Sequence, residues 1–358
     1  MSNAPTPRPT PSPGEPSLPD EELRRALLDA YDTQLRGENE FADPRARVER
    51  DGPLVRFTGI ATGYITGPRD LGVEGDALDA LIARQRDRYA ELGIETEWKT
   101  RGHDAQKDLP ERLRAAGFVP DEPETVFVGR TEDLARLEPR LPDGLRMRSA
   151  TSLADLRGID AMNEEVWGES RPRADELHRI LTTSPENMTV LLVEPDPDAA
   201  PAVTSRTTRP QMPDAASDTT PRAARDIAPA PYGATRDDAA PYAALRDVPA
   251  PAARAAEPAT TPTPEPTPAP PSTPLHAARI EFVPGTDFAG LWGGSTLAAW
   301  RGRGLYRATV AARARIAAAR GVRYLQVDAS ADSAPILRRL GFLELTTTTP
   351  YIWTPPAG

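Results

Sequence analysis

One stretch, Gly293 to Phe342, constrains the fold more than any other part of this chain. It contains a short β-prone segment, an Arg-Gly turn from Arg301 to Tyr306, and then apolar residues at helical spacing. Gly321 marks the end of that helix, Val322–Asp328 alternates as a strand does, and Gly341 ends a second, shorter helix. The stretch therefore predicts a strand, a turn, a helix, a strand and a helix in that order.

The Arg-Gly turn has the chemistry of an anion site. Its two glycines, Gly302 and Gly304, allow the backbone to approach a ligand closely, and the first-turn amides of the next helix point outward without partners. Arg301, Arg303 and Arg307 add positive charge at the same end of the helix. A pyrophosphate suits these features. The alternative is a helix that begins at glycine for structural reasons alone.

The combination of motifs is more specific than the turn. Arg301-x-x-Gly304-x-Tyr306, followed by a helix, a strand and Leu-x-x-x-Gly-Phe ending at Phe342, resembles the GNAT-type N-acetyltransferase family. The coenzyme-A signature of that family is Arg/Gln-x-x-Gly-x-Gly/Ala, so Tyr306 stands where Gly or Ala is usual, although its backbone amide is still available. The resemblance implies an α/β fold with a mixed sheet and acetyl-CoA as co-substrate.

A weaker copy of the same order precedes this stretch. Leu113-x-x-x-Gly117-Phe118 corresponds to the later Leu-x-x-x-Gly-Phe, and each follows a long helix and a strand. The equivalent earlier turn carries Glu74 and Asp76 where the later turn carries arginines, and carboxylates there would repel a pyrophosphate. We interpret the chain as two GNAT-like domains in tandem, the first degenerate and structural. The alternative is that the repeated order of elements is one that any α/β domain would show.

Two segments are too poor in large apolar residues to form a core. Residues 1–20 are rich in Pro, Ser and Thr and are expected to form a disordered tail. Residues 195–274 are rich in Pro, Ala and Thr and are expected to form a disordered insertion. The predicted domains are therefore a degenerate GNAT-like domain at 21–135 and a GNAT N-acetyltransferase domain at 141–194 plus 275–355. In the resembled family the strands on either side of such an insertion are neighbours. Met188–Val193 should then pair antiparallel with Ala278–Val283.

Composition excludes several classes of function. The formal net charge is −10, which disfavours non-specific nucleic-acid binding, and the absence of cysteine excludes thiolate metal sites and a cysteine nucleophile. The three histidines are scattered without zinc-ligand spacing. No apolar run is long enough to cross a bilayer, and the N-terminus lacks the apolar core of a secretory signal. These features predict a soluble, cytoplasmic protein without nucleic-acid or membrane partners; a homodimer is left open.

The resembled family implies where the coenzyme binds. There, the strand before the Arg-Gly turn diverges from its neighbour and binds the acetyl and pantetheine parts through backbone groups. Ser333 stands where the family commonly has Asn or Ser against the cofactor; its alternative role is helix capping. The predicted cofactor-binding residues are Thr296, Leu297, Arg301, Gly302, Arg303, Gly304, Leu305, Tyr306 and Ser333.

Acetyl transfer needs groups that move protons. Family members often protonate the leaving thiolate from a tyrosine at the position of Leu337, so the usual acid is missing. Tyr351 on a final strand is the candidate acid, although a core or edge aromatic is the favoured interpretation of this residue. Glu281 and Asp287 flank the strand next to the site, and Glu281 is the predicted base unless it faces solvent. Asp328 is a further catalytic candidate, with a loop cap as its alternative.

The resemblance implies acetyl-CoA-dependent N-acetyl transfer to a small-molecule or peptide amine, by direct attack in a ternary complex. A transferase that uses a longer acyl-CoA is one alternative. A catalytically inactive acyl-CoA-binding sensor and an interaction protein on the same fold are the others. The sequence does not identify the acceptor.

Overall fold

The computed structural model describes residues 18–40, 45–60, 62–170, 172–199 and 273–356. The segments predicted to be disordered therefore lie largely outside the described residues. The exceptions are residues 18–20, which begin the first helix, and the described ends of the predicted insertion.

The N-terminal half, residues 18–134, contains a parallel strand pair joined by a helix. The strand Leu54–Thr58 pairs antiparallel with Gly63–Thr66, the first strand of that parallel pair. The strand Arg47–Asp51 was not predicted, because it is an edge strand made mostly of charged residues. The elements are α1 (Leu18–Leu35), β1 (Arg47–Asp51), β2 (Leu54–Thr58), β3 (Gly63–Thr66), α2 (Gly75–Leu92), β4 (Thr96–Arg101), α3 (Leu109–Ala115), β5 (Val119–Pro120), β6 (Glu124–Arg130) and α4 (Thr131–Leu134).

The C-terminal half, residues 145–353, contains the predicted strand–turn–helix–strand–helix unit. Its first helix begins at Ser152, whose hydroxyl accepts from the Asp155 amide while the Asp155 carboxylate accepts from the Ser152 amide. The elements are β7 (Leu145–Ser149), α5 (Leu153–Trp167), α6 (Ala174–Thr183), β8 (Met188–Pro195), β9 (His276–Phe282), β10 (Phe288–Thr296), α7 (Leu305–Ala319), β11 (Tyr324–Ala329), α8 (Ala334–Leu340) and β12 (Leu343–Trp353).

The predicted pairing across the insertion is confirmed. β8 pairs antiparallel with β9, from Met188 opposite Glu281 to Val193 opposite His276. The two strands that flank residues 196–275 are thus direct neighbours in the sheet.

The described strands form a single mixed sheet, in the order β1-β2-β3-β4-β12-β6-β11-β10-β9-β8-β7, with β5 paired to β12. Each half contributes one parallel pair, β3 with β4 and β10 with β11. The fold is therefore α/β with a mixed sheet, as predicted, and it repeats one arrangement twice.

The two halves exchange their last strands. β12 ends the C-terminal half but pairs with β4 of the N-terminal half, while β6 ends the N-terminal half but pairs with β11 of the C-terminal half. β12 and β6 also pair with each other, so the sheet is continuous. The predicted domain boundaries follow the order of the chain. At this junction of the sheet, however, strands of the two halves alternate.

Helices cover both faces of the sheet. On one face, α7, α8 and α4 pack on residues such as Leu325 and Val327, and α2 and α3 pack on Ile65 and Trp98. On the other face, α1 packs on residues such as Val126, and α5 and α6 pack on the face of β8 and β9. The face covered by α1, α5 and α6 is called the α1 face below.

Candidate functional site

β10 and β11 diverge in the middle of the C-terminal half. They pair in parallel from Phe288 opposite Tyr324 to Gly290 opposite Gln326, and beyond this point their pairing with each other ends. β10 continues to Thr296 along β9, and β11 continues to Ala329 along β6. The facing edges of the two strands therefore present backbone amides and carbonyls to a gap instead of to each other. The predicted divergence of the strand before the turn is present.

A β-bulge changes the direction of β10 along this gap. The register between β10 and β9 shifts between Trp292 and Ser295, and Gly293 has a φ of 61°. A Cβ atom at Gly293 would lie 2.7 Å from the Nη1 atom of Arg279, so the guanidinium would have to move, and the positive φ would strain the backbone of any other residue. The bulge thus lies at the paired glycines Gly293 and Gly294.

The Arg-Gly turn lies at the open end of the gap. Gly302 has a φ of 71° and Gly304, the N-cap of α7, a φ of 85°; both are exposed and border open space. The Ala308 amide donates to the Gly304 carbonyl over 2.9 Å, which leaves the amides of the preceding first-turn residues without an intrahelical acceptor. The turn can therefore bind an anion through backbone amides and the positive end of the helix dipole.

Three exposed arginines surround this turn. Arg301 donates from Nε to the Thr296 carbonyl over 3.3 Å, and Arg307 donates from Nη1 to the Glu138 carbonyl over 3.2 Å. The Arg303 guanidinium lies 4.7 Å from the ring centroid of Trp300. These contacts keep positive charge beside the amides.

The side chain of Tyr306 belongs to the core, not to the surface of the turn. Its half-buried ring packs against Gly294, where a Cβ atom would lie 2.8 Å from the ring, and its centroid is 6.4 Å from that of His276. Burial raises the pKa of the Tyr306 hydroxyl. A glycine in β10 thus accommodates the tyrosine that replaces the usual Gly or Ala.

The remaining predicted cofactor residues have structural contacts. Leu305 is buried in an apolar cluster, and Leu297 is half-buried against two clusters. Ser333 precedes α8, but its hydroxyl donates to the Ser330 carbonyl over 3.3 Å and makes no capping bond. Thr296 faces His276. Leu305, which is buried, could contact a cofactor only through its backbone.

Sequence analysis did not assign a role to His276, which links the two strands to α7. Its Nδ1 atom lies 2.7 Å from the hydroxyl of Thr296, and its Nε2 atom lies 2.8 Å from the hydroxyl of Thr309. The Thr309 hydroxyl already donates to a carbonyl, so it accepts from Nε2. Burial, with a smaller effect of Arg313, lowers the pKa of His276 to about 3. The imidazole is therefore neutral. Periodicity alone gives no signal for such a bridge.

A cavity of about 50 Å³ lies on the α1 face, where the gap closes. Gly290, Trp292, Gln326 and two predicted catalytic residues, Glu281 and Asp328, line it from the C-terminal half. The N-terminal half contributes the side chains of Tyr31, Glu40 and Lys99. Both halves thus form one cavity.

Glu281 and Asp328 are held by different partners. Arg279 donates from Nε to Glu281 over 2.5 Å, and the Glu281 side chain is 23% exposed. Asp328 is 4% exposed, accepts from Lys99 over 2.8 Å and accepts from Gln326 over 2.5 Å. Glu281 is therefore accessible from the cavity, while Asp328 is half of a buried ion pair and not a loop cap.

The structure does not bring Tyr351 to this site. It lies on β12 opposite Trp98, buried in the N-terminal core on the face opposite the cavity. Two strands separate β12 from β10, a spacing of about 14 Å at the usual inter-strand distance. Tyr351 is a core aromatic, which corrects its prediction as the acid.

Asp287 precedes β10 at the end away from the turn, where Gln34 binds it. Leu337 is fully buried beneath the face opposite the cavity.

Among the described residues of the N-terminal half, the corresponding strand pair shows no comparable opening. β3 and β4 pair from Gly63 opposite Thr96 to Ile65 opposite Trp98. Beyond that point Arg36 donates to the Gly67 carbonyl over 2.9 Å and pairs with Asp104 over 2.7 Å. The remaining cavity is about 10 Å³. An internal ion pair occupies this region, which favours the predicted structural role of the first copy.

Within the described ranges, no cluster of three or more His, Cys, Asp or Glu side chains is arranged to hold a metal ion. None of the helices in those ranges combines the length and apolarity needed to cross a membrane.

Comparison with known proteins gives the class of fold. No protein-family model matches the chain, and no curated protein matches its sequence. The structure is similar to a GCN5-related N-acetyltransferase from Kribbella flavida, with a TM-score of 0.51, 14% identity, and coverage of 94% of this chain and 95% of that one. The chain therefore has the GNAT-type fold, as the motifs predicted.

Two further structures were matched over most of their length. One is a functionally unknown conserved protein from Staphylococcus epidermidis, with a TM-score of 0.49, 11% identity, and coverage of 88% of this chain and 96% of that one. The other is described as a tandem GNAT protein from the clavulanic acid biosynthesis pathway. Its TM-score is 0.47 and its identity 13%, with coverage of 95% of this chain and 97% of that one.

Proposed function

We propose that this chain is an N-acetyltransferase that transfers an acetyl group from acetyl-CoA to an amine by direct attack. One observation carries the proposal. The gap between β10 and β11 has an exposed anion-binding turn at its open end and a polar cavity at its closed end. Such a gap suits a long ligand with a pyrophosphate at one end and a reactive group at the other.

The residues present fit acetyl-CoA. The first-turn amides of α7 and the arginines around Gly302 and Gly304 would hold the pyrophosphate. The free backbone edge of β10 would bind the pantetheine arm in the manner of an added strand. The acetyl thioester would then lie near Gly290 and Gln326. Acetyl-CoA supplies the activated acyl group.

Glu281 is the proposed base. Its carboxylate lines the cavity and remains partly accessible, and the bond from Arg279 fixes its orientation. An amine that enters from the α1 face would lose a proton to Glu281 and attack the thioester carbonyl. Backbone amides at the edge of the gap would polarise that carbonyl.

The proposed acceptor is a small-molecule or peptide amine. Rings of Tyr31 and Trp292 and carboxylates of Glu40 and Glu281 contribute to the cavity wall. This combination suits an amine that is cationic in solution and becomes neutral at the site.

A catalytically inactive acyl-CoA-binding sensor is the second candidate, favoured by a specific observation. Leu337, where the resembled family often has a tyrosine acid, is fully buried in the core. Thiol release from acetyl-CoA in the presence of a panel of amines distinguishes the candidates. A transferase releases thiol in an acceptor-dependent manner, whereas a sensor binds acetyl-CoA without turnover.

Two matched substitutions test the cofactor site. Asn and Asp have nearly the same shape, and both tolerate the left-handed backbone of Gly304 better than most residues. Gly304→Asp adds a negative charge beside the proposed pyrophosphate, whereas Gly304→Asn does not. By calorimetric titration with acetyl-CoA, we expect Gly304→Asp to weaken binding at least about tenfold relative to Gly304→Asn, or about 1.4 kcal/mol. Equal affinities for the two variants, or no binding by the unmodified protein, would contradict the proposed site.

A further inference from the structure

The buried ion pair of the cavity joins the two halves. Lys99 lies on β4, yet its ammonium reaches Asp328 on β11 at 2.8 Å, although β12 and β6 lie between those strands. The Lys99 and Asp328 side chains are 10% and 4% exposed. The degenerate half therefore places a cation at the closed end of the gap in the other half.

The surroundings keep this cation charged. Burial alone would lower the pKa of Lys99, but the nearby anion of Asp328 and other acidic groups raise it well above its ordinary value. Burial raises the pKa of Glu97 to about 7 and that of Glu124 to about 8, so Asp328 is the main counter-charge of Lys99. The charged and titratable groups around Lys99 are Glu97 and Arg101 of β4, Tyr64 of β3, Tyr31 of α1, Glu40, Glu124 of β6, Asp328 of β11 and Glu281 of β9.

The length of the gap would place the thioester of a bound acetyl-CoA in the cavity that Lys99 lines. β10 runs six residues from Gly290 to Thr296, about 20 Å at the rise of a strand. A ligand with its pyrophosphate on the α7 turn and its arm along β10 would carry its reactive end to Gly290. Gly290 and Lys99 line the same cavity.

We propose that the Lys99 ammonium stabilises the coenzyme-A thiolate that leaves during acyl transfer. The amine nitrogen bonds to the carbonyl carbon, the carbon–sulfur bond breaks, and its electron pair remains on sulfur as a thiolate. The amine gives its proton to Glu281, which releases it to solvent. Lys99 keeps its proton and supplies positive charge opposite the thiolate, a role that the absent tyrosine acid leaves open. This inference rests on the proposed function.

The test uses free coenzyme A as the probe and needs no acceptor. The thiol of the bound molecule is titrated by ultraviolet absorbance of its thiolate, for the unmodified protein, Lys99→Arg and the Lys99→Met/Asp328→Asn double variant. The double variant replaces both members of the ion pair, so that no unpaired charge is buried. We expect the bound thiol to titrate about 1 to 3 pH units below free coenzyme A in the unmodified protein and in Lys99→Arg. The double variant should lose that shift.

The affinity of each protein for coenzyme A is measured as well, because it shows whether the role of Lys99 alone or the whole proposed function is wrong. Normal affinity with the same thiol pKa in the unmodified protein and the double variant would overturn the role of Lys99 and leave the proposed function standing. No binding to the unmodified protein would overturn both. Asp328→Asn alone gives a second test if the double variant does not fold. Loss of the counter-charge should lower the thiol pKa further, and an unchanged value would overturn the proposal.

Discussion

At the scale of single residues, His276 shows how a polar group can be stable in the core. It bonds to Thr296 and Thr309 through its two ring nitrogens, so a neutral imidazole is fully satisfied. It thereby joins the strand that lines the gap to the helix that begins at the anion-binding turn. A charge at this position would be unfavourable, because Arg313 lies nearby and water is excluded.

This arrangement predicts a pH dependence of stability. The pKa of His276 is about 3 in the folded protein and about 6.5 in an unfolded chain. Between these values the unfolded chain binds a proton that the folded protein does not, so the contribution of His276 is present above pH 6.5 and is lost as pH falls toward 3. Relative to His276→Gln, we expect the unmodified protein to lose up to about 2 kcal/mol more stability between pH 6.5 and 5. Urea unfolding at the two pH values measures this difference. Parallel losses in both proteins would show that the imidazole is not buried in neutral form.

At the scale of elements, β8 and β9 are hydrogen-bonded up to the two ends that residues 196–275 connect. Val193 pairs with His276, and the Leu275 amide donates to the Val193 carbonyl over 2.8 Å. The ends to be joined are therefore already adjacent.

Replacing residues 200–272 by a short Gly/Ser turn should leave the fold and the acetyl-CoA affinity unchanged. The reason is that loop-closure entropy varies only with the logarithm of loop length. The midpoint of thermal unfolding should stay within a few degrees. A matched control deletes 200–278, which removes His276 together with the first strand residues of β9, and should unfold the protein or strongly lower its midpoint. A large loss of stability in the first variant alone would show that residues 200–272 contribute to the folded core.

At the scale of the whole molecule, the exchanged strands make the halves interdependent. Without the C-terminal half, β4 would lose β12, and β6 would lose both β12 and β11, so three strand edges that are paired here would be exposed. Without the N-terminal half, β11 would lose β6.

We therefore expect residues 1–138 and 139–358 to aggregate or remain unfolded when produced separately, and to form a soluble complex when produced together. Co-purification through a tag on one half, followed by size-exclusion chromatography, measures this. A monomeric N-terminal fragment that unfolds cooperatively by itself would contradict the interdependence inferred from strand exchange.

The sequence alone determined the features that depend on neighbouring residues. Glycine positions and apolar spacing predicted the Arg-Gly turn before α7, the repeated order of the two halves and the two strands beside the insertion. These predictions succeeded because turn chemistry and hydrophobic period are local properties of the chain.

The tertiary structure decided which strands are neighbours and which side chains meet. Lys99 and Asp328 are 229 residues apart, and only the interleaved order of β4, β12, β6 and β11 brings them into one cavity. The same order places Tyr351 in the N-terminal core. Periodicity shows which face of a strand is buried, but it contains no information on the partner strand, because pairing depends on the free energy of the complete sheet.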